Sequence, residues 1–304
     1  MKTLCIYHKT CPDGSMSAAI VKRHLEGEVV CIPCQYGTSL NDLMEQQWPL
    51  GDYKYDRLIM VDFSFPRETM EHLSTRFGDN FLCLDHHKTA EENLRNVPGC
   101  VFDPDRSGCG MAWKRFAEGE PPWPVKWIED WDLWNHHYGE TTRRFHDGLT
   151  LVDYDDLRFY QDLLKDDKLI RETLRNGDVL SRANEARIKH ALKLWRENPQ
   201  YVHLFGEKIA AINWCDKSTV STLLHELVKE SPSQIAIAYT IYGDSATEMV
   251  FSIRSAEEVD SSQIARKLGG GGHAQACGCE LESNVLWKTK SDAPDASGVW
   301  SRLA

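Results

Sequence analysis

The feature that most limits how this chain can fold is a short apolar run that stops at a His or an Asp, met three times. Thr3-Leu4-Cys5-Ile6-Tyr7 leads into His8 and, past a turn, Asp13. Arg57-Leu58-Ile59-Met60-Val61 leads into Asp62, and Asn80-Phe81-Leu82-Cys83-Leu84 leads into Asp85-His86-His87. Each run reads as a short buried strand. After the first, Pro12 and Gly14 mark a turn and Ser15 begins a helix-like stretch. In open α/β sheets, ligands gather outside the carboxyl ends of the strands. Three such ends bearing carboxylates and imidazoles predict one shared site, with the ligand chemistry of a divalent metal beside a phosphate.

The rest of the chain sets the organisation. Strand-like and helix-like runs alternate to about residue 150, as in a parallel α/β sheet. Residues 151–200 are charged and helical in pattern. Within them Val179, Ala183, Ala186, Ile188, Ala191, Leu192 and Trp195 fall at helical spacing. Strand-like runs at 208–212, 234–239 and 249–253 follow, and a glycine run, Gly269 to Gly272, precedes His273. The expected fold class is α/β: a parallel-sheet domain at 1–175, a connector helix at 176–200, and a smaller α/β domain at 201–285. A cleft is expected between the domains, and a tail at 286–304.

Composition narrows the partners. No apolar run approaches the roughly 18 residues a membrane span needs, so no membrane partner is expected. Met1 leads straight into a strand, which argues against a signal peptide. The ten cysteines lie largely in strand-like runs or beside the expected site, as buried free thiols of a cytoplasmic protein do. Cys31 and Cys34 form a lone CxxC, read as structural. A net charge of −11 with no long Lys/Arg block disfavours a grip on long nucleic acid and favours small phosphate-bearing substrates.

The order His8, Asp13-Gly14, Asp62, Asp85-His86-His87, then a later aspartate, resembles the motif order of the DHH-family phosphoesterases, which are named for the Asp-His-His triplet. Gly269-Gly270-Gly271-Gly272-His273-Ala274-Gln275-Ala276-Cys277-Gly278 is similar to the glycine-rich signature of the DHH-associated C-terminal domain. The resemblance implies two divalent metals, usually manganese, with magnesium, cobalt or zinc as alternatives. It implies that Asp62 bridges them, that His8 binds one, and that Asp13, His86 and Asp130 bind the other. Asp132 is the alternative to Asp130. His87 is implied beside the phosphate as a proton donor, with Asp85 orienting the histidines as a supporting carboxylate. His136 and His137 lie outside the motif and read as surface residues.

One departure is visible. The family pattern carries an aspartate where this chain has Pro12 by strict counting from His8, or Cys11 if the loop is one residue shorter, and the second alignment keeps the spacing to Asp13-Gly14. A thiolate there would favour softer metals. Otherwise Cys11 is a small buried residue. In the C-terminal domain, Gly270, Gly271 and Gly272 would let amide groups approach a phosphate. His273, Arg254 and Ser255 would add directional contacts.

The function so implied is a metal-dependent phosphodiesterase of the nano-RNase (oligoribonuclease) branch, cutting short oligonucleotides or linear dinucleotides to mononucleotides. A phosphomonoesterase on pAp-like nucleotides or polyphosphate, a single-strand DNA exonuclease, and a non-catalytic nucleotide-binding protein are the alternatives. Short nucleic acid or nucleotide is the expected partner. No stable protein partner is expected, and the chain is read as a monomer or homodimer.

Overall fold

The computed structural model describes residues 1–47, 55–242 and 248–282. The expected tail at 286–304 lies outside the described residues. The chain divides into two compact units, Met1–Arg182 and Ala183–Ala304.

The first unit runs β1 (Lys2–His8), α1 (Pro12–His24), β2 (Glu28–Cys34), α2 (Leu40–Gln47), β3 (Arg57–Val61), α3 (Arg67–Phe77), β4 (Phe81–Asp85), α4 (Glu91–Leu94) and β5 (Cys100–Phe102). It continues with α5 (Gly108–Phe116), α6 (Trp123–Asp132), α7 (Glu140–Leu149), α8 (Leu157–Leu163) and the long α9 (Asp167–Glu197), inside which the division between units falls. The five strands pair in parallel in the order β2-β1-β3-β4-β5.

The strand interiors are apolar because both faces of the sheet are covered. Leu4, Ile6, Leu58, Met60, Phe81 and Cys83 pack on Met70 and Leu73 of α3 and on Leu94 of α4. The alternate residues, Cys5, Tyr7, Ile59, Val61 and Leu84, pack on Ala18 and Val21 of α1 and Met111 of α5. The strand order reverses direction between β1 and β3. In sheets of this doubly wound order that switch point is where ligands bind. The carboxyl end of β1 carries His8, that of β3 is followed by Asp62, and that of β4 is Asp85.

The second unit adds β6 (Tyr201–Leu204), β7 (Glu207–Asn213), α10 (Val220–Val228), β8 (Ile235–Tyr242), β9 (Glu248–Ser255), α11 (Ser262–Lys267), β10 (Gly271–Gly272) and β11 (Ala276–Glu282). Its mixed six-stranded sheet has the order β10-β11-β9-β8-β7-β6, with only β7 and β8 parallel. Ile188, Leu192 and Trp195 of α9 and Leu223, Leu224 and Leu227 of α10 cover one face. Ile264, Ala265 and Leu268 cover the other.

The strand ends and α6 form a candidate metal centre

Three elements fix the acidic side chains. Asp13 is the second residue of α1 and 1% exposed. Its carboxylate accepts the amides of Gly108 (2.6 Å) and Cys109 (2.9 Å), the first two residues of α5. Ser107 caps that helix by accepting the Gly110 amide at 3.2 Å. The positive end of α5 therefore orients Asp13 rather than a phosphate. Asp62 follows β3 with φ +56°, a left-handed conformation that side chains other than glycine adopt infrequently. Its amide donates to Leu84 O at 2.9 Å, which ties the turn to β4.

Two glycines make this convergence sterically feasible. A Cβ on Gly108 would lie 2.5 Å from Asp62 Cβ and 2.8 Å from Asp13 Oδ2. A Cβ on Gly14 would lie 2.3 Å from the His8 carbonyl oxygen. Only glycine allows α1, α5 and the two strand ends to close on one point.

The groups meet in two adjoining clusters. His8, Cys11 and Asp62 offer ligand atoms within 4.8 Å of one another, as do Asp13, His86 and Asp132. Asp62 faces both: its Oδ2 is 3.4 Å from His8 Nδ1, and its Oδ1 is 3.1 Å from His86 Nε2. His86 Nε2 also lies 3.5 Å from Asp132 Oδ2 and 3.7 Å from Asp13 Oδ2. His87 Nδ1 lies 2.8 Å from Asp85 Oδ1, and the same oxygen accepts the amides of His86 (2.8 Å) and His87 (3.1 Å). Asp85 thereby fixes the orientation of the His87 ring through Nδ1.

The electrostatics describe a site short of positive charge. Burial and the neighbouring Asp62 and Asp132 carboxylates push the Asp13 carboxyl up to about 8. Burial pushes Asp132 up to about 6 against the pull of His86. His86 is driven up to about 10: burial opposes its charge, but Asp132, Asp62 and Asp13 more than compensate. Asp62 is held well below the carboxylate range, its burial outweighed by the adjacent His8, His86 and His87 imidazoles. Asp85 is likewise held low, by His87 and Ser64 against burial.

His8 Nδ1, Asp62 Oδ2 and Asp85 Oδ2 are buried without a hydrogen bond among the described residues. Buried carboxylates, imidazole nitrogens and a thiol, with lone pairs left over, fit a divalent cation.

The geometry corrects the choice of the fourth aspartate. The structure turns Asp130 away from the cluster: its carboxylate accepts the amides of His137 (2.8 Å) and Tyr138 (3.3 Å) and the hydroxyl of Thr142 (2.5 Å). Asp132, at the C-terminus of α6, takes the place beside His86. Residues two apart are separated by about 200° around a helix, so the two side chains could not both face the site.

The glycine run also differs from expectation. The Gly269 and Gly270 amides already donate to Arg266 O (3.1 Å) and Ala265 O (2.8 Å), and the His273 amide donates to Ala276 O (2.8 Å). Gly271 and Gly272 pair with Gly278 and Cys277 of β11. The glycines allow close strand contact: a Cβ on Gly270 would lie 2.0 Å from Gly278 O, and Gly272 has φ +130°. Ser255 donates its hydroxyl to Val259 O at 2.5 Å. Arg254 is half-buried, with Nη2 on Ser221 Oγ at 2.7 Å and Nη1 on Ile253 O at 2.8 Å. His273 is half-buried.

Tyr36 is a neighbour of the site that the sequence did not announce. Its ring meets His8 at 5.1 Å and His87 at 5.3 Å, both edge-on, and leans on Phe63 at 5.0 Å. It follows β2, whose strand character was the only signal that could have placed it.

The comparisons with known proteins agree with this architecture. The DHHA1 domain is matched at residues 207–296. The chain is 25% identical over 296 residues to the uncharacterised protein R106 of Acanthamoeba polyphaga mimivirus, covering 90% of this chain and 66% of R106. It is 24% identical over 252 residues to the oligoribonuclease NrnB of Bacillus subtilis, covering 76% of this chain and 61% of NrnB. It thus spans less than two thirds of the length of both. RecJ from Thermus thermophilus, solved in complex with Mn2+, has a TM-score of 0.52 at 15% identity over 93% of this chain and 50% of RecJ, so the fold is shared. No helix among the described residues is long and apolar enough to cross a membrane.

Proposed function

We propose that this chain, a DHH-family protein by its DHHA1 domain and fold, is a metal-dependent phosphodiesterase that hydrolyses short oligonucleotides or linear dinucleotides to mononucleotides. The observation that carries the reading is the pair of clusters that adjoin at the switch point of the parallel sheet, one containing Asp62 and the other reached by it through His86 at 3.1 Å. Asp62, with one oxygen toward each cluster, would bridge two divalent ions, manganese being the preferred pair. His8 and Cys11 would complete one, and Asp13, His86 and Asp132 the other. Two such ions lower the pKa of a water and stabilise charge on phosphoryl oxygens. His87, fixed through Nδ1 by Asp85, would present Nε2 to the phosphate or leaving oxygen. Arg254 and His273 are the second unit's candidate contacts to the substrate, and Ser255 and Gly270 to Gly272 shape that region. The similarity to oligoribonuclease NrnB supports the substrate class. A cytoplasmic location belongs to the same reading, resting on ten free cysteines, six of them buried.

The test is product analysis with a 5′-phosphorylated dinucleotide in Mn2+. Two mononucleotides are expected, while free phosphate would indicate a monoesterase. Asp62→Ala and His86→Ala should each lower turnover by more than about 100-fold. Full turnover by either folded variant would sink the assignment.

A further inference from the structure

Asp132 opens onto a loop with a forced backbone. Trp134 (φ +57°) and His136 (φ +55°) both lie in the left-handed region. Bulky residues stay there only when their surroundings over-determine them, and such positions concentrate at ligand clamps. Here Asp130 does the holding. Its buried carboxylate accepts the His137 and Tyr138 amides, and its carbonyl accepts the Asn135 amide at 3.0 Å.

The rings so placed form a rigid set. Trp131 lies flat on His146, centroids 4.0 Å apart at 16°. Trp134 meets Trp131 at 4.9 Å and 66°, and His136 stands edge-on to Trp134 at 4.4 Å. His136 is exposed, and Trp131 and Trp134 are partly so. No Lys or Arg lies between Asp130 and Arg143, so this stretch is aromatic without a fixed positive charge. Trp134 is two residues from Asp132, so their Cα atoms are within about 7.6 Å.

We propose that Trp131, Trp134 and His136 form a nucleobase-stacking site for a nucleotide whose phosphate would lie at the metal centre that Asp132, with Asp13 and His86, would help to form. The proposal rests on the phosphodiesterase reading for the position of that phosphate. A planar, uncharged, sequence-tolerant surface is what stacking on a single-stranded base requires. A hydrophobic core would need neither the exposure nor the strained loop. The site would favour base-bearing phosphodiesters over sugar phosphates and polyphosphate.

The test is equilibrium binding to the full chain, with Ca2+ in place of Mn2+. The probes are a 5′-phosphorylated dinucleotide and counterparts with either base replaced by an abasic residue. Wild type should prefer the base-bearing probe over one of the abasic counterparts by about tenfold. The preference should fall to about one in Trp134→Ala and persist in Trp134→Phe. Equal affinity of wild type for all probes, or a preference kept in Trp134→Ala, would overturn the site. If Trp134→Ala does not fold, His136→Ala decides: a reduced preference supports the site and an unchanged one overturns it. Product formation in Mn2+ is scored separately. A base preference without hydrolysis would remove the enzymatic reading and leave the stacking site standing.

Discussion

Asp130 and Asp132 differ by two positions and have different jobs. Asp130 is a buried anchor for residues 134–138, and Asp132 stands with Asp13 and His86. Asp132→Ala should abolish Mn2+-dependent hydrolysis, by more than about 100-fold, with the melting curve little changed. Asp130→Ala should instead lower stability by ~2–3 kcal/mol, because amides and a hydroxyl lose a charged acceptor. Activity assays and thermal melts of the two variants separate these roles, and the reverse pattern would show the assignment to be wrong. Sequence pattern brought both aspartates into view. It could not choose between them, because that depends on where α6 ends, and a shift of two residues turns the face by about 200°. The histidines were readable because each sits at the end of an apolar strand. Tyr36 was not, because nothing in its local pattern marks it.

At the level of elements, the strands that end at the His and Asp cluster were the legible ones. The interiors of β1, β3 and β4 are apolar because the sheet is covered on both sides. β2 went unseen: Pro33 within Glu28–Cys34 argues against a strand, yet β2 is an edge, where a missing amide is tolerated. The glycine run, read for phosphate contact, also serves strand contact: Gly271 and Gly272 pair with β11, and a Cβ on Gly270 would lie 2.0 Å from Gly278 O. The element whose role sequence could least supply is α5, whose first amides hold Asp13. Gly108→Ala should push α5 away from Asp62, whose Cβ and Cα would lie 2.5 and 3.1 Å from the added Cβ, and from the Asp13 carboxylate, whose Oδ2 would lie 2.8 Å from it. Mn2+ affinity should fall ~10–100-fold, as when a ligand loses its support. Calorimetric titration measures it, and wild-type affinity in the variant would refute the role given to this helix end.

For the whole molecule, the acidic cluster couples stability to pH. In the metal-free chain His86 (to about 10), Asp13 (to about 8) and Asp132 (to about 6) are all raised on folding. A raised group stabilises fully below its unfolded value, near 4 for Asp and 6.5 for His, and loses that contribution as pH climbs through the folded value. The metal-free melting temperature should therefore fall from pH 5 to pH 9. Asp62 and Asp85, held low, act in the opposite sense only below about pH 4. Saturating Mn2+ should flatten the slope by replacing the protons. Melting curves in chelator and in Mn2+ test this, and a metal-free curve that is flat or rises toward pH 9 would contradict it. The register of the sheet carries one more consequence. Thr3 pairs with Arg57, Val61 with Leu84, and the last acidic partner arrives at Asp132. No short stretch of the nascent chain holds the complete set. An ion bound by that set would then neither nucleate folding nor bind the unfolded chain well, and would act by mass action on the finished fold. At one hundred times its dissociation constant it would add about 2.7 kcal/mol, so occupancy would report how much of the chain has folded.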